Sequence, residues 1–141
     1  MRGRKYLFII ALVATLFLAF EQLQASSFPD QIAGSYLVGT LRSSYSNERG
    51  TYQVTVYYPA LRSGANAPPV VGKYPAVVFA PGFLATKDFY TWIGNELASS
   101  GYVVAIFTPP NTMSTSLAQW SDGISSGIDY LLSSSILKGL V

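Results

Sequence analysis

One stretch of this 141-residue chain carries the pattern of a serine nucleophile, a single G-x-S-x-G at Gly123-Ile124-Ser125-Ser126-Gly127. In acyl transfer such a serine sits on a sharp strand-to-helix turn, its hydroxyl exposed and activated by a neighbouring base. Two features oppose that role for Ser125. Leu117, Trp120, Ile124, Ile128, Leu131 and Leu132 recur at helical spacing straight through the motif, which predicts one amphipathic helix ending near Ser133 rather than a buried strand leading into an elbow. The chain also contains no histidine, so no His-dependent triad and no His metal site can be assembled from it. Ser125 is therefore read as a helix residue, with Gly123 and Gly127 each weakening that helix by about 1 kcal/mol. The absence of cysteine excludes a thiolate nucleophile, thiolate metal sites and a disulfide framework.

The elements that would position any chemistry follow from the pattern of apolar residues. Residues 34–44 and 51–58 are rich in Tyr, Val, Leu and Thr and flank Asn47-Glu48-Arg49-Gly50, which predicts an outer antiparallel strand pair joined by a turn. In the second strand Tyr52, Val54, Val56 and Tyr58 share one face, while Gln53, Thr55 and Tyr57 share the other. Residues 59–73 hold Pro59, Gly64, Pro68, Pro69 and Gly72 and form a surface connection. The apolar run 74–80, stopped by Pro81-Gly82, predicts a strand buried on both faces of a parallel sheet. Phe89, Trp92, Ile93 and Leu97 then mark a helix, with Thr86 and Asp88 as its N-terminal signals and Gly101 as its left-handed end. Residues 102–107 repeat the buried-strand pattern and complete a βαβ unit. The loop that leaves this strand, residues 108–112, lies at the carboxyl edge of a parallel sheet, where ligands bind. Asn111 and Thr112 are candidate pocket residues on that ground.

Half of the residues are hydrophobic and 11% are charged, which predicts a folded core and excludes a disordered chain or a basic nucleic-acid binder. Arg2, Arg4 and Lys5 precede the uncharged run 6–20, with small residues at Ala25 and Ser26, so residues 1–25 are expected to be a secretory signal peptide. An uncleaved membrane anchor over residues 6–20 is the alternative, and a membrane contact is expected only in that case. The leader holds three of the nine basic residues and one of the seven acidic ones, leaving six of each in residues 26–141. The remaining chain is neutral and implies no anionic partner.

The strand 74–80 running into Pro81-Gly82-Phe83, followed by Trp92-Ile93-Gly94 and by Leu97-Ala98-Ser99-Ser100-Gly101-Tyr102-Val103-Val104, resembles the first half of secreted cutinase-like polyester hydrolases. It is also similar to the dienelactone hydrolase, chlorophyllase and platelet-activating-factor acetylhydrolase families, all within the α/β-hydrolase superfamily. The resemblance covers roughly residues 34–135 and implies the N-terminal half of an α/β-hydrolase domain, with a mixed, mostly parallel sheet and flanking helices, over residues 26–141. It implies that the residue after Pro-Gly, here Phe83, donates its backbone N–H to an oxyanion hole and lends its ring to the acyl pocket. Losing such a donor costs about 3 kcal/mol of transition-state stabilisation. Leu84 belongs to the same wall or to the surface of the loop. The resemblance further implies a strand order of one, two, four, three, five, which leaves the strand at residues 76–80 as an apolar edge. It places the nucleophile, the acid and the histidine beyond Val141.

The expected function is that of a secreted serine carboxylic ester hydrolase, cutinase-like, taking an ester or polyester substrate through an acyl-enzyme, with no cofactor and no nucleic-acid partner. The chain by itself is expected to be inactive. Two other readings stand beside it: a non-catalytic secreted module binding through Tyr52, Tyr57, Phe83 and Trp120, and a gene fragment without function.

Overall fold

The computed structural model describes residues 36–141. The signal peptide or anchor expected over residues 1–25, and the start of the first predicted strand, lie outside the described residues. Strand β1 (Leu37–Asn47) turns through Glu48-Arg49 into β2 (Gly50–Ala60), with Asn47 paired to Gly50 across the hairpin. The turn is tight because Gly50 takes φ +126°, a conformation that side-chain-bearing residues rarely adopt. The Asn47 carboxamide oxygen accepts the Arg49 N–H at 2.9 Å. A short β3 (Gly64–Ala65) pairs parallel with β1.

Strand β4 (Ala76–Phe79) leads through a 3-10 turn (Lys87–Tyr90) into helix α1 (Thr91–Ser99), and the chain returns as β5 (Val103–Thr108), parallel to β4. Helix α2 (Leu117–Ser133) follows. Gly101 at φ +92° ends α1 as expected. Thr86 makes no side-chain cap, contrary to expectation, because the 3-10 turn stands between it and α1. The Phe89 N–H closes this turn on the Thr86 carbonyl instead.

The sheet is mixed, in the order β3-β1-β2-β5-β4, with β2 antiparallel to both β1 and β5. The expected order one, two, four, three appears as β1-β2-β5-β4, and β4 lies at the edge of the described sheet. That position explains why β4 is only partly buried, against the expectation of a strand covered on both faces, whereas β5 is buried from Val103 to Phe107. The pairing of β2 alternates as predicted, yet β2 is not an outer strand. Val54 to Ala60 are all buried, since β2 lies between two strands and under a helix on each face.

The two faces form two cores. One gathers Tyr45, Tyr52, Val54, Val56, Tyr58, Val103, Ala105 and Phe107 with Leu131, Leu137 and Leu140. The other gathers Tyr57, Val104 and Ile106 with Ala98. Helices reach the sheet through glycine. A Cβ at Gly94 would overlap the Tyr57 ring, and one at Gly123 would stand 2.7 Å from the Tyr52 ring and 3.0 Å from that of Phe107. The buried stripe of α2 is consequently Gln119, Gly123, Gly127 and Leu131. This corrects the predicted face, because Leu117, Ile124, Ile128 and Leu132 are exposed and only Leu131 of that set is fully buried. Ile124, Ile128 and Leu132 line an apolar groove with Ala76 and Val78 of the edge strand. No helix among the described residues is long and apolar enough to cross a membrane.

Candidate active site

Parallel pairing of β4 and β5 brings their carboxyl ends to one edge of the sheet, so the loops after Phe79 and Thr108 meet there. Three hydrogen bonds fix the first loop to its surroundings. The Leu84 N–H donates to the Thr112 carbonyl at 3.0 Å, the Lys87 N–H donates to the Thr108 hydroxyl at 2.9 Å, and the Gly82 N–H donates to the Tyr90 hydroxyl at 3.2 Å. Phe79 packs against the Tyr90 ring, with centroids 4.8 Å apart. A further bond, from the Ala85 N–H to the Gly82 carbonyl at 3.0 Å, closes a β-turn whose central residues are Phe83 and Leu84. Leu84 sits at φ +62° while Phe83 does not have positive φ, the pattern of a type II turn. Glycine is the usual occupant of the second position, and a leucine there costs on the order of 1–2 kcal/mol.

This turn leaves a specific group unpaired. The N–H groups of Gly82, Leu84 and Ala85 all have acceptors, whereas that of Phe83 meets none among the described residues. The Phe83 ring is 57% exposed and borders an open, apolar depression with Leu84, Ala85, Phe89 and Tyr90. Of the four sequence candidates, Leu84 and Thr112 are joined by the hydrogen bond between the two loops and Phe83 and Leu84 line the depression, whereas Asn111 and Thr112 are not among its lining residues. Asn111 is turned to local duty: its side-chain oxygen accepts the Met113 N–H at 3.0 Å and its carbonyl accepts the Gln119 amide at 2.7 Å. Thr112 contributes a backbone carbonyl. Tyr90 escaped the sequence reading, and Phe89 entered it only as a helix residue, whereas it lies in the 3-10 turn and lines the depression. Tyr90 falls off the helical period because it ends a 3-10 turn, and a hydroxyl that anchors a glycine N–H leaves no periodic trace.

Ser125 lies in the middle of α2 on its exposed side, with no strand before it. The flanking glycines of its motif are packing positions: Gly123 seats Tyr52 and Phe107, and Gly127 seats Val78 and Tyr45. Tyr45 and Tyr52 reinforce this seam by donating to the carbonyls of Gly123 and Gln119 at 2.8 and 2.9 Å. Burial, together with the neighbouring Tyr52, holds the Tyr45 hydroxyl well above the usual tyrosine range. The carboxylates nearest in sequence to Ser125 are Asp122, paired with Arg49 of the hairpin, and Asp129.

A family model described as PET hydrolase-like matches residues 24–138. The chain belongs to this PET hydrolase-like family of the α/β-hydrolase superfamily. It is 30% identical over 112 residues to a bis(hydroxyethyl) terephthalate hydrolase of Streptomyces coelicolor, covering 79% of this chain and 34% of that protein. The chain therefore spans about a third of the length of this curated relative. Of the aromatics considered for a binding module, Tyr52 and Tyr57 are 0% and 4% exposed and Trp120 packs against the core, so Phe83 is the exposed one of the four.

Proposed function

We propose that this chain supplies the N-terminal part of a secreted serine carboxylic ester hydrolase acting on polyesters or small aryl esters, in which Phe83 provides an oxyanion donor. The nucleophile, its acid and its histidine lie outside these 141 residues, consistent with the absence of histidine. In the reaction a serine oxygen attacks the ester carbonyl carbon and the carbonyl electron pair moves onto oxygen. The Phe83 N–H, together with a second donor, holds that oxyanion. Collapse expels the alkoxide, which takes the proton removed from the serine, and water then releases the acid from the acyl-enzyme by the same steps in order.

The observation that carries this reading is the unpaired Phe83 N–H, in a turn whose other N–H groups are all engaged, at the carboxyl end of the parallel strands. The strained Leu84 supports it, because backbone strain of this kind persists where the surrounding contacts impose it. The experiment replaces the matched 112-residue stretch of the Streptomyces hydrolase with the corresponding residues of this chain and follows hydrolysis of bis(2-hydroxyethyl) terephthalate. Phe83 occupies the turn position that favours proline, so Phe83→Pro removes the N–H while keeping the turn. It is expected to lower kcat by about 100-fold, whereas Phe83→Ala keeps the donor and acts mainly on KM. A Phe83→Pro chimera with kcat near that of the parent chimera would rule out the oxyanion role.

A further inference from the structure

The direction of the Phe83 N–H is set one residue earlier, at a glycine. No peptide bond among the described residues is cis, so the Phe83 N–H points opposite to the Gly82 carbonyl within one rigid plane. The Ala85 N–H donates to that carbonyl at 3.0 Å, which turns the Phe83 N–H away from Ala85. The preceding plane, from Pro81 to Gly82, is held at its N–H by the Tyr90 hydroxyl at 3.2 Å. Pro81 itself is buried, with φ locked by its ring. Between the two planes stands Gly82, and glycine has the widest φ and ψ freedom of any residue. Its φ is not positive, so the backbone conformation does not demand glycine there. A Cβ at this position would instead stand 3.3 Å from the Tyr90 hydroxyl.

Resting on the proposed function, we propose that Tyr90 is a positioning residue: its hydroxyl holds the Gly82 joint and thereby aims the Phe83 N–H at the oxyanion. The hydroxyl is a fixed point because its ring is tied to the sheet. The ring packs on Phe79 of β4 with centroids 4.8 Å apart. Tyr90 also ends the 3-10 turn, which is pinned to β5 by the bond from the Lys87 N–H to the Thr108 hydroxyl at 2.9 Å. Folding does not account for the bond to Gly82. It lies in contact with water, where solvent replaces a lost partner at little cost to stability. Water satisfies the N–H but does not hold it still, and an oxyanion donor acts only when aligned with the place where charge collects. Complete loss of such a donor lowers kcat by about 100-fold or more. A donor that stays but swings costs less, about 3- to 10-fold for one hydrogen bond of ordinary net strength.

The test uses the chimera with the Streptomyces hydrolase and follows hydrolysis of bis(2-hydroxyethyl) terephthalate. Tyr90→Phe keeps the ring on Phe79 and is expected to lower kcat about 3- to 10-fold, with KM within about 2-fold. In the Phe83→Pro background no N–H is left to aim, so Tyr90→Phe should change kcat there by less than about 2-fold. A purely structural effect would be equal in the two backgrounds. Gly82→Ala narrows the freedom of the joint, and its methyl has room once the hydroxyl is gone. Added to Tyr90→Phe, it should bring kcat back to within about 2-fold of the parent chimera. The proposal is overturned by a Tyr90→Phe loss below about 3-fold, by an equal loss in the Phe83→Pro background, or by no recovery with Gly82→Ala. The oxyanion reading has its own readout in Phe83→Pro alone. If that variant loses kcat as expected while Tyr90→Phe does not, the Tyr90 role fails by itself; if Phe83→Pro leaves kcat unchanged, both fail.

Discussion

The glycines of the G-x-S-x-G motif and its serine should respond to alanine in opposite directions. At Gly123 the new methyl would lie 2.7 Å from Tyr52 Cε1 and 3.0 Å from the Phe107 ring. Tyr52 cannot easily withdraw: it stacks on Tyr45 at 5.3 Å, meets Phe107 edge-on at 5.5 Å, and donates its hydroxyl to the Gln119 carbonyl. Alanine gains about 1 kcal/mol of helix propensity over glycine. Against this stand about 1–3 kcal/mol for overpacking a filled core and about 1 kcal/mol for a displaced hydroxyl bond. Gly123→Ala is therefore expected to lose about 1–3 kcal/mol. Ser125→Ala, on the exposed side of the same helix, should gain a few tenths of a kcal/mol. Gly139→Ala, where a Cβ would meet nothing within 4 Å, provides the control and should stay within about 0.5 kcal/mol. Graded proteolysis of the chain displayed singly on a cell surface reads these differences without interference from aggregation, because cleavage tracks the open population. A Gly123→Ala variant as stable as Gly139→Ala would refute the packing argument. Esterase turnover that Ser125→Ala abolishes would restore Ser125 as a nucleophile.

The edge strand β4 and the groove formed with Ile124, Ile128 and Leu132 should make the isolated chain self-associate, and Ile128→Lys should reduce this in sedimentation; a monomeric preparation of residues 26–141 with a sharp, reversible thermal transition would contradict it. Thr55 is buried with a hydroxyl that finds no partner among the described residues, so Thr55→Val should be neutral or stabilising by about 1 kcal/mol, and a clear loss of stability would reveal a missed partner. Burial raises the pKa of Tyr45, Tyr57 and Tyr58 above the ordinary value of 10.0, so their contribution is complete below that pH and is lost as pH rises toward the folded values. Stability should fall above about pH 10 by up to about 1.4 kcal/mol per pH unit per tyrosine, and Tyr45→Phe should flatten the slope in an unfolding titration.

Local chemistry was legible wherever one residue type decides the backbone. The Asn47 to Gly50 turn, the Pro81-Gly82 stop after β4 and the Gly101 end of α1 all stand where the sequence places them. The G-x-S-x-G motif was recognisable as helical from the apolar spacing through it, and the strand order followed from the family resemblance. Which side of an element is covered was less legible. Hydropathy points to Ile124, Ile128 and Leu132 as the buried face of α2, but close approach to the Tyr52 and Phe107 rings demands glycine at the contact. Buried glycine carries no hydrophobic signal, so periodicity selected the wrong stripe.

The sequence by itself determined the kind of protein this is. A strand ending in Pro-Gly-Phe, a helix and a second buried strand prescribe a βαβ unit, and the absence of histidine forbids a His-dependent triad within these residues. Only the tertiary structure decided which groups are available for chemistry. It pairs the N–H groups of Gly82, Leu84 and Ala85 and leaves that of Phe83, and it lines one open apolar depression with both Phe83 and Phe89. The reason is physical: hydrogen-bond satisfaction depends on partners such as Thr112 and Tyr90, which reach the turn only once β4, β5 and the 3-10 turn have packed together.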